Sequence, residues 1–234
     1  MPKTYIARNL ARIRTALAEA AGRAGRVPPT LVAVTKSATE EEVLALSALY
    51  DGPIAENRVP MFRARRELLA AAGFATPIHL IGSLQTNKVK YIAADAALIE
   101  SLDSRKLAAE IERQGAKIGR KIPVLIEINS GREEAKGGLL PEEVIPFFEE
   151  LHRGAYPHVA VAGLMTMGPN CECEEDYRPY FRETRALFER IRDTYGFAGE
   201  GILSMGMSDS FGVAAEEGAT QVRIGRALFF KDEN

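Results

Sequence analysis

The chain of 234 residues is long enough for one large domain, and its 46% hydrophobic content suffices for a sizeable core. Thirty basic and 32 acidic residues give a formal net charge of −2, which excludes a bulk attraction to nucleic acid or to a membrane surface. No apolar run reaches the length of a membrane span, and the N-terminus has an amphipathic helical pattern, unlike a signal peptide. With two cysteines, Cys171 and Cys173, and three histidines, we expect no disulfide framework, no metal site and a cytoplasmic location.

Hydrophobic periodicity predicts eight strands that alternate with helices along the chain. A first helix is predicted over 3–24, before any strand. The strands are predicted at 31–35, 53–55, 78–81, 97–100, 123–128, 159–164, 201–203 and 221–224. The helices between them are predicted at 40–49, 58–72, 85–94, after a cap at Asp103, and at 141–153, 175–195 and 209–217.

Eight strand–helix alternations are typical of a (β/α)8 TIM barrel and exceed what an open doubly wound sheet usually shows. We therefore predict one α/β barrel domain over 1–234. The eighth strand leaves room for barely one helical turn after it, whereas an extra helix precedes the first strand. We expect this N-terminal helix to cover the gap and complete the helical ring.

The first strand delivers Lys36 to its C-terminal end, where α/β barrels keep their chemistry. A lysine held there can lose its proton through desolvation and form a Schiff base with a carbonyl group. A lysine that merely extends to solvent explains the same residue, and on the lysine alone this second interpretation is favoured. The residues at the other strand ends are needed to choose between a Schiff-base lysine and a solvent-exposed one.

Barrels most often hold phosphate at the ends of strands seven and eight. Here 204–208 leads into a helix N-terminus, and Gly225-Arg226 offers backbone N–H groups with little steric obstruction. The strand ends show no metal-type cluster and no carboxylate pair, with the exception of Glu56. Two phosphate-type loops opposite Lys36 favour a phosphorylated carbonyl ligand, and a Schiff-base aldolase for a phosphosugar is one such protein.

Several longer stretches carry a resemblance to a known family. They are Val34-Thr35-Lys36, Ala55-Glu56-Asn57, 78–88, Ile128-Asn129-Ser130, Lys136-Gly137-Gly138, 163–167, 203–209 and 222–225. In this order they resemble the YggS/PROSC family of pyridoxal 5′-phosphate (PLP, a vitamin B6 form) homeostasis proteins, over about residues 5 to 230. The stretches HLIGSLQTNK and LSMGMSD are the most specific.

The resemblance implies a fold type III PLP barrel, like the N-terminal domain of alanine racemase. By this resemblance, Lys36 would hold PLP as a Schiff base, and Arg223 would face the pyridine nitrogen. The remaining assignments place Asn57 and Met165 beside the ring and Ser204, Gly225 and Arg226 at the phosphate. The family more often has threonine at position 226 and a Gln-Glu pair where this chain has Pro60-Met61.

The implied function is binding, buffering and delivery of PLP without robust turnover, and hence no catalytic residue. An arginine keeps the pyridine nitrogen unprotonated, which makes the ring a poor electron sink. The alternative is a fold type III amino-acid racemase, which would need a second base such as the tyrosine that a further domain supplies in alanine racemase. We expect a monomer whose partners are PLP and PLP-dependent apo-enzymes.

Overall fold

The computed structural model describes residues 4–133 and 135–231 and shows eight parallel strands closed into a barrel in chain order. The strands are β1 (Thr30–Val34), β2 (Ile54–Glu56), β3 (Ile78–Leu80), β4 (Leu98–Leu102), β5 (Ile122–Ile128), β6 (Val159–Thr166), β7 (Ile202–Ser204) and β8 (Gln221–Ile224). The helices are α1 (Thr4–Arg23), α2 (Glu40–Ser47), α3 (Val59–Ala71), α4 (Arg105–Ile118), α5 (Pro141–Glu150), α6 (Arg178–Thr194), α7 (Phe211–Glu216) and α8 (Arg226–Phe229). The predicted α/β barrel with a preceding helix is confirmed.

Helix α1 lies where the sequence predicted it, over the end of the ring next to the short α8. Asn9 is buried on α1, and its Nδ2 donates to the backbone carbonyls of Leu228 at 3.1 Å and Phe230 at 2.8 Å. The Tyr5 hydroxyl donates to Glu42 on α2, whose carboxylate also pairs with Lys231 at 3.0 Å. Helix α1 therefore links both ends of the described chain to the first barrel helix.

Two local predictions were wrong in detail. The helix predicted over 85–94 is a short 3₁₀ segment, Thr86–Tyr91, in which only Val89 is buried. Because Val89 is the one buried apolar side chain of this segment, packing stabilises a short helical turn and not a longer amphipathic helix. The cap of α4 is Ser104 and not Asp103, because the Ser104 hydroxyl accepts the backbone N–H of Leu107.

The apolar residues of the strands lie on two sides of the barrel wall, outside and inside. Outward-facing residues such as Ile54, Leu80 and Ile99 join one large core with the surrounding helices, and burying each such side chain stabilises the fold by about 1.5–3 kcal/mol. The barrel interior holds two smaller apolar clusters. These consist of Val32, Val34 and Ala55, and of Leu98, Leu125, Ala162 and Met165. The space between these clusters is polar.

A bulge in β6 decides which residues of that strand face inward. The pairing with β5 shifts register at Gly163, whose φ is 156° and where a Cβ atom would lie 1.9 Å from the Ile202 carbonyl oxygen. Only glycine fits such a close approach. Because the bulge breaks the two-residue alternation, Ala162 and Met165 both reach the interior cluster.

Candidate functional site

Lys36 lies at the C-terminal mouth of the barrel, where β1 meets both of its neighbours. It follows Val32 and Val34 at two-residue spacing, so it shares their inward direction, and it is exposed at the mouth. Strand β1 pairs with β2 on one side and with β8 on the other. Extended beyond the strands, this register sets Asn57, which is half-buried, level with Lys36 on one side, and Gly225 level with Val34, two residues before Lys36, on the other. The structure thus brings together three predicted site residues.

The turn that carries Lys36 is anchored from outside the barrel. Glu56 at the end of β2 points outward and forms a buried ion pair with Arg65 of α3, at 3.1 Å. The same carboxylate oxygen accepts the Thr35 hydroxyl at 2.7 Å, and Arg65 Nη2 donates to the Ala38 carbonyl. Main-chain groups on both sides of Lys36 are therefore fixed, while its side chain is left free to reach a ligand.

Lys36, Gly225 and Arg226 line one cleft of about 640 Å³ at this rim. A Cβ atom at position 225 would lie 2.9 Å from the Val34 carbonyl oxygen, so glycine allows β8 to approach β1 closely. Ser208 belongs to the same region, because its Oγ accepts the Ala227 N–H at 3.2 Å. The Arg226 guanidinium is exposed and pairs with Asp209, which leaves the backbone of Gly225 and Arg226 at the cleft.

Ser204, predicted at the phosphate, has a fully buried side chain inside the barrel. Its Oγ donates to Glu100 Oε2 at 2.7 Å and accepts from Arg223 Nη1 at 2.6 Å and Gln221 Nε2 at 3.0 Å. A hydroxyl has one proton and two lone pairs, so these contacts leave nothing for a phosphate oxygen. This geometry makes Ser208, further along the same loop, the serine next to the phosphate-type backbone.

Arg223 is buried in the barrel interior, close to the end of β8. Its Nη1 donates to Ser204, and its Nη2 donates to the Thr166 carbonyl at 2.9 Å. Burial lowers the pKa of Arg223, but the carboxylates of Glu100 and Glu127 counteract this. The guanidinium is therefore a fixed donor with a charge-balanced environment beneath the mouth.

Two interior carboxyl groups, which the strand-end interpretation missed, flank Arg223. Burial would raise the pKa of Glu100, but the hydrogen bond from His79, the charge of Arg223 and the Ser204 hydroxyl outweigh it and lower that pKa. Burial and the nearby charge of Asp103 raise the pKa of Glu127 to about 7, against the effect of Arg223. Two-residue spacing from the inward-facing Leu98 and Leu125 could have revealed both.

Asn57 follows β2, and Met165 lies on β6, on the opposite side of the barrel. A Cβ atom at Gly82 would lie 2.2 Å from the Asn57 carbonyl oxygen, so the glycine after β3 packs directly on the Asn57 backbone. Met165 is fully buried and packs with Leu98 and Leu125. It lies one residue before Thr166, whose carbonyl holds Arg223.

Cys171 and Cys173 are free thiols. Within residues 4–133 and 135–231 no group of three His, Cys, Asp or Glu side chains could hold a metal ion. No helix in these same ranges has the length and apolar character needed to cross a membrane.

The chain matches the family model of the alanine racemase N-terminal domain over residues 5–233. It is 42% identical to the pyridoxal phosphate homeostasis protein of Aquifex aeolicus, over 94% of this chain and 95% of the relative. A crystal structure of an unknown protein from Bifidobacterium adolescentis superposes with a TM-score of 0.89 and 32% identity, over 97% of this chain and 95% of the other. PipY of Synechococcus elongatus, solved with PLP bound, gives a TM-score of 0.82 and 26% identity, over 96% of this chain and all of PipY.

Proposed function

The chain belongs to the pyridoxal phosphate homeostasis proteins, within the alanine racemase N-terminal domain family, and we propose that it binds, buffers and delivers PLP. The observation that carries this proposal is the position of Lys36, in one cleft with Gly225 and Arg226 and above the buried Arg223. An amine, a donor for a ring nitrogen and a backbone site for an anion are the groups that PLP requires.

The described residues fit PLP at each of its functional groups. Lys36 supplies the amine that bonds to the PLP aldehyde carbon as a Schiff base, with loss of water. Arg223 donates to the ring nitrogen, and Asn57 and Met165 border the ring. The backbone of Gly225 and Arg226, together with Ser208, holds the phosphate, and Ser204 supports Arg223 from below.

The same residues favour retention of PLP over fast turnover. PLP serves amino-acid chemistry as an electron sink, and it does so best when its ring nitrogen carries a proton. Arg223 stays charged and can only donate, so it holds the ring nitrogen unprotonated. We therefore propose a monomeric carrier that transfers PLP to PLP-dependent apo-enzymes and has no robust activity of its own.

The binding proposal is tested by the visible spectrum and by borohydride reduction. The purified protein mixed with PLP should turn yellow, and reduction should label the peptide that contains Lys36. Lys36→Ala should lose the label and the chromophore. Lys231→Ala is the matched control, because Lys231 lines the same cleft but pairs with Glu42, and it should retain both. A colourless protein that takes up no PLP would overturn the proposal.

The carrier proposal is tested with a mixture of the nineteen chiral L-amino acids and the PLP-loaded protein. We expect no D-amino acids above the level that free PLP produces, and we expect PLP to activate an added apo-enzyme of the PLP-dependent class. Racemisation at rates typical of enzymes would instead establish a fold type III racemase.

A further inference from the structure

A connected row of polar side chains crosses the barrel interior beneath the mouth. At its centre, Glu100 has a hydrogen-bond partner on both carboxylate oxygens. Its Oε1 lies 2.8 Å from His79 Nδ1 and accepts from Gln221 Nε2 at 2.8 Å. Its Oε2 accepts the Ser204 hydroxyl at 2.7 Å. Glu100 and Ser204 are fully buried, so the row is a defined structure and not a solvated surface network.

Ser204 stands between Glu100 and Arg223. The direct separation of Arg223 Nη1 from Glu100 Oε2 is 3.9 Å, too long for a hydrogen bond, whereas Nη1 lies 2.6 Å from Ser204 Oγ. Because the hydroxyl donates to Glu100, its lone pairs are directed to the arginine. The charge of Glu100 thus acts on Arg223 through one oriented hydroxyl as well as directly.

The position of Arg223 is fixed by these contacts. Nη1 is held by Ser204 and Nη2 by the Thr166 carbonyl at 2.9 Å. A guanidinium has five N–H groups in a rigid plane, so two anchored nitrogens determine where the remaining N–H groups point. Because Arg223 is buried, groups of the barrel wall set that plane and bulk solvent does not.

The opposite end of the row is remote from the mouth. His79 and Gln221 line a cleft of about 970 Å³ together with Thr30 and Pro53, which lie at the start of β1 and just before β2. Glu100 and His79 therefore lie away from the mouth, and the rim cleft that contains Lys36 is lined neither by them nor by Ser204 or Arg223. Arg223 is the member of the row on the strand that leads directly into this cleft, two residues before Gly225. The contribution of Glu100 and His79 to the site has to pass through Ser204 and Arg223.

We infer that Glu100 and Ser204 are positioning residues, which hold the Arg223 guanidinium in the orientation that presents an N–H to the PLP ring nitrogen. The inference rests on the proposed function and adds to it the residues that give Arg223 its direction. The inference predicts that the protein prefers a ligand with a ring nitrogen. It also predicts that this preference depends on Glu100 and Ser204, two side chains that do not contact the ligand.

The test compares the affinity for PLP with that for its 1-deaza analogue, in which CH replaces the ring nitrogen. Both ligands keep the aldehyde and the phosphate, so the ratio of their dissociation constants isolates the contact to the ring nitrogen. A charge-assisted hydrogen bond predicts about 10- to 100-fold preference for PLP in the unmodified protein. Absorbance titration of the full-length protein measures both constants.

Glu100→Gln and Ser204→Ala should each reduce this preference by about tenfold, while the affinity for the deaza analogue changes by less than about threefold. Glu112→Gln is the matched control. Glu112 also lies beside a histidine nitrogen, at 2.7 Å from His158 Nδ1, but on the outside of the barrel, and it should keep the full preference. A general loss of stability would weaken both ligands and leave the ratio unchanged.

The outcomes separate the inference from the function. If the unmodified protein binds neither ligand, the proposed function fails. If it binds both equally, or if both variants keep the full preference, the positioning role is overturned and PLP binding stands. Should Glu100→Gln not fold, Ser204→Ala decides alone, because it removes no charge from the interior.

Discussion

Two buried arginine–carboxylate pairs of similar burial lie on opposite sides of the barrel wall. Arg65 and Glu56 join α3 to β2 on the outside, and Arg223 and Glu100 lie inside. In the outer pair, Glu56 Oε1 receives both Arg65 and Thr35, and Oε2 has no hydrogen-bond partner among the described residues. In the inner pair, both oxygens of Glu100 have partners.

The difference shows what each pair can do. Arg65 donates to the Thr35 and Ala38 carbonyls, so it connects the outer pair to the main chain around Lys36. Arg223 has one main-chain anchor, the Thr166 carbonyl, and one hydroxyl anchor, Ser204. The outer pair stabilises a turn, and the inner pair directs a donor.

The strongest way to break the outer pair is Arg65→Met. The substitution leaves Glu56 buried without a counter-charge and should reduce the free energy of unfolding by about 3–5 kcal/mol. Urea unfolding at pH 7 measures the loss. Arg66→Met is the control, since Arg66 forms an exposed pair with Asp95 that should contribute about 0–1 kcal/mol. Equal losses in the two variants would refute the bracing role of Arg65.

Glu127 sharpens the comparison from inside the barrel, because no described residue donates a hydrogen bond to its carboxyl group. Its pKa rises from the ordinary 4.5 to about 7, so the folded state binds this proton more tightly than the unfolded state. The resulting stabilisation is complete below about pH 4.5 and is lost as the pH rises through about 7. The difference corresponds to roughly 3 kcal/mol at most.

Glu127→Gln replaces the carboxyl group with a neutral one of similar shape. We expect the variant to match the unmodified protein near pH 4.5 and to be more stable at pH 8, as measured by urea unfolding at both values. The same stability difference at both pH values would show that Glu127 does not titrate between them.

Arg223→Met should act mainly on binding. PLP affinity should fall by about 10- to 100-fold, through loss of a charge-assisted donor. Glu100 keeps His79, Gln221 and Ser204 as neighbours, so the stability loss should be smaller than for Arg65→Met. Absorbance titration and urea unfolding of the two variants provide the contrast, and a reversed order of the stability losses would contradict it.

Thr35→Val should give the smallest effect. It removes the 2.7 Å hydrogen bond from a buried hydroxyl to Glu56 and preserves the side-chain shape. We expect a loss of about 1 kcal/mol in unfolding free energy. Ser37→Ala, at an exposed position on the same turn, should leave stability unchanged. If Ser37→Ala reduced the free energy of unfolding as much as Thr35→Val, the hydrogen bond from Thr35 to the outer pair would have no specific stabilising role.

The barrel could be predicted from sequence because its signals are local and repeated. Apolar strand residues, helix caps such as Thr39 with Glu42, and glycine after helices recur along the chain, and Thr39 and Glu42 form a capping box at the start of α2. His79 lies on the predicted third strand and contacts Glu100 inside the barrel. Lys36 could be singled out because it directly follows a buried strand.

The interior polar row could not be predicted in the same way. Its hydrogen bonds join β3, β4, β7 and β8, so they depend on the register between distant strands. The choice of the serine next to the phosphate-type backbone has the same difficulty. Ser204 and Ser208 stand in one short stretch of sequence, and the folded barrel is needed to show that Ser204 is enclosed. Gly163 adds a further difficulty, since its bulge changes the inward face of β6.

The two strands that close the ring are β1 and β8, whose pairing sets Val32 opposite Arg223. Synthesis on the ribosome proceeds from the N-terminus, so β1 emerges long before β8. Lys36 is therefore exposed to solvent early in synthesis, but it gains Gly225, Arg226 and Arg223 as neighbours only when β8 has left the exit tunnel. Under the proposed function, capture of PLP by all of these groups requires a closed ring, and nascent chains should not compete with finished ones for the cofactor.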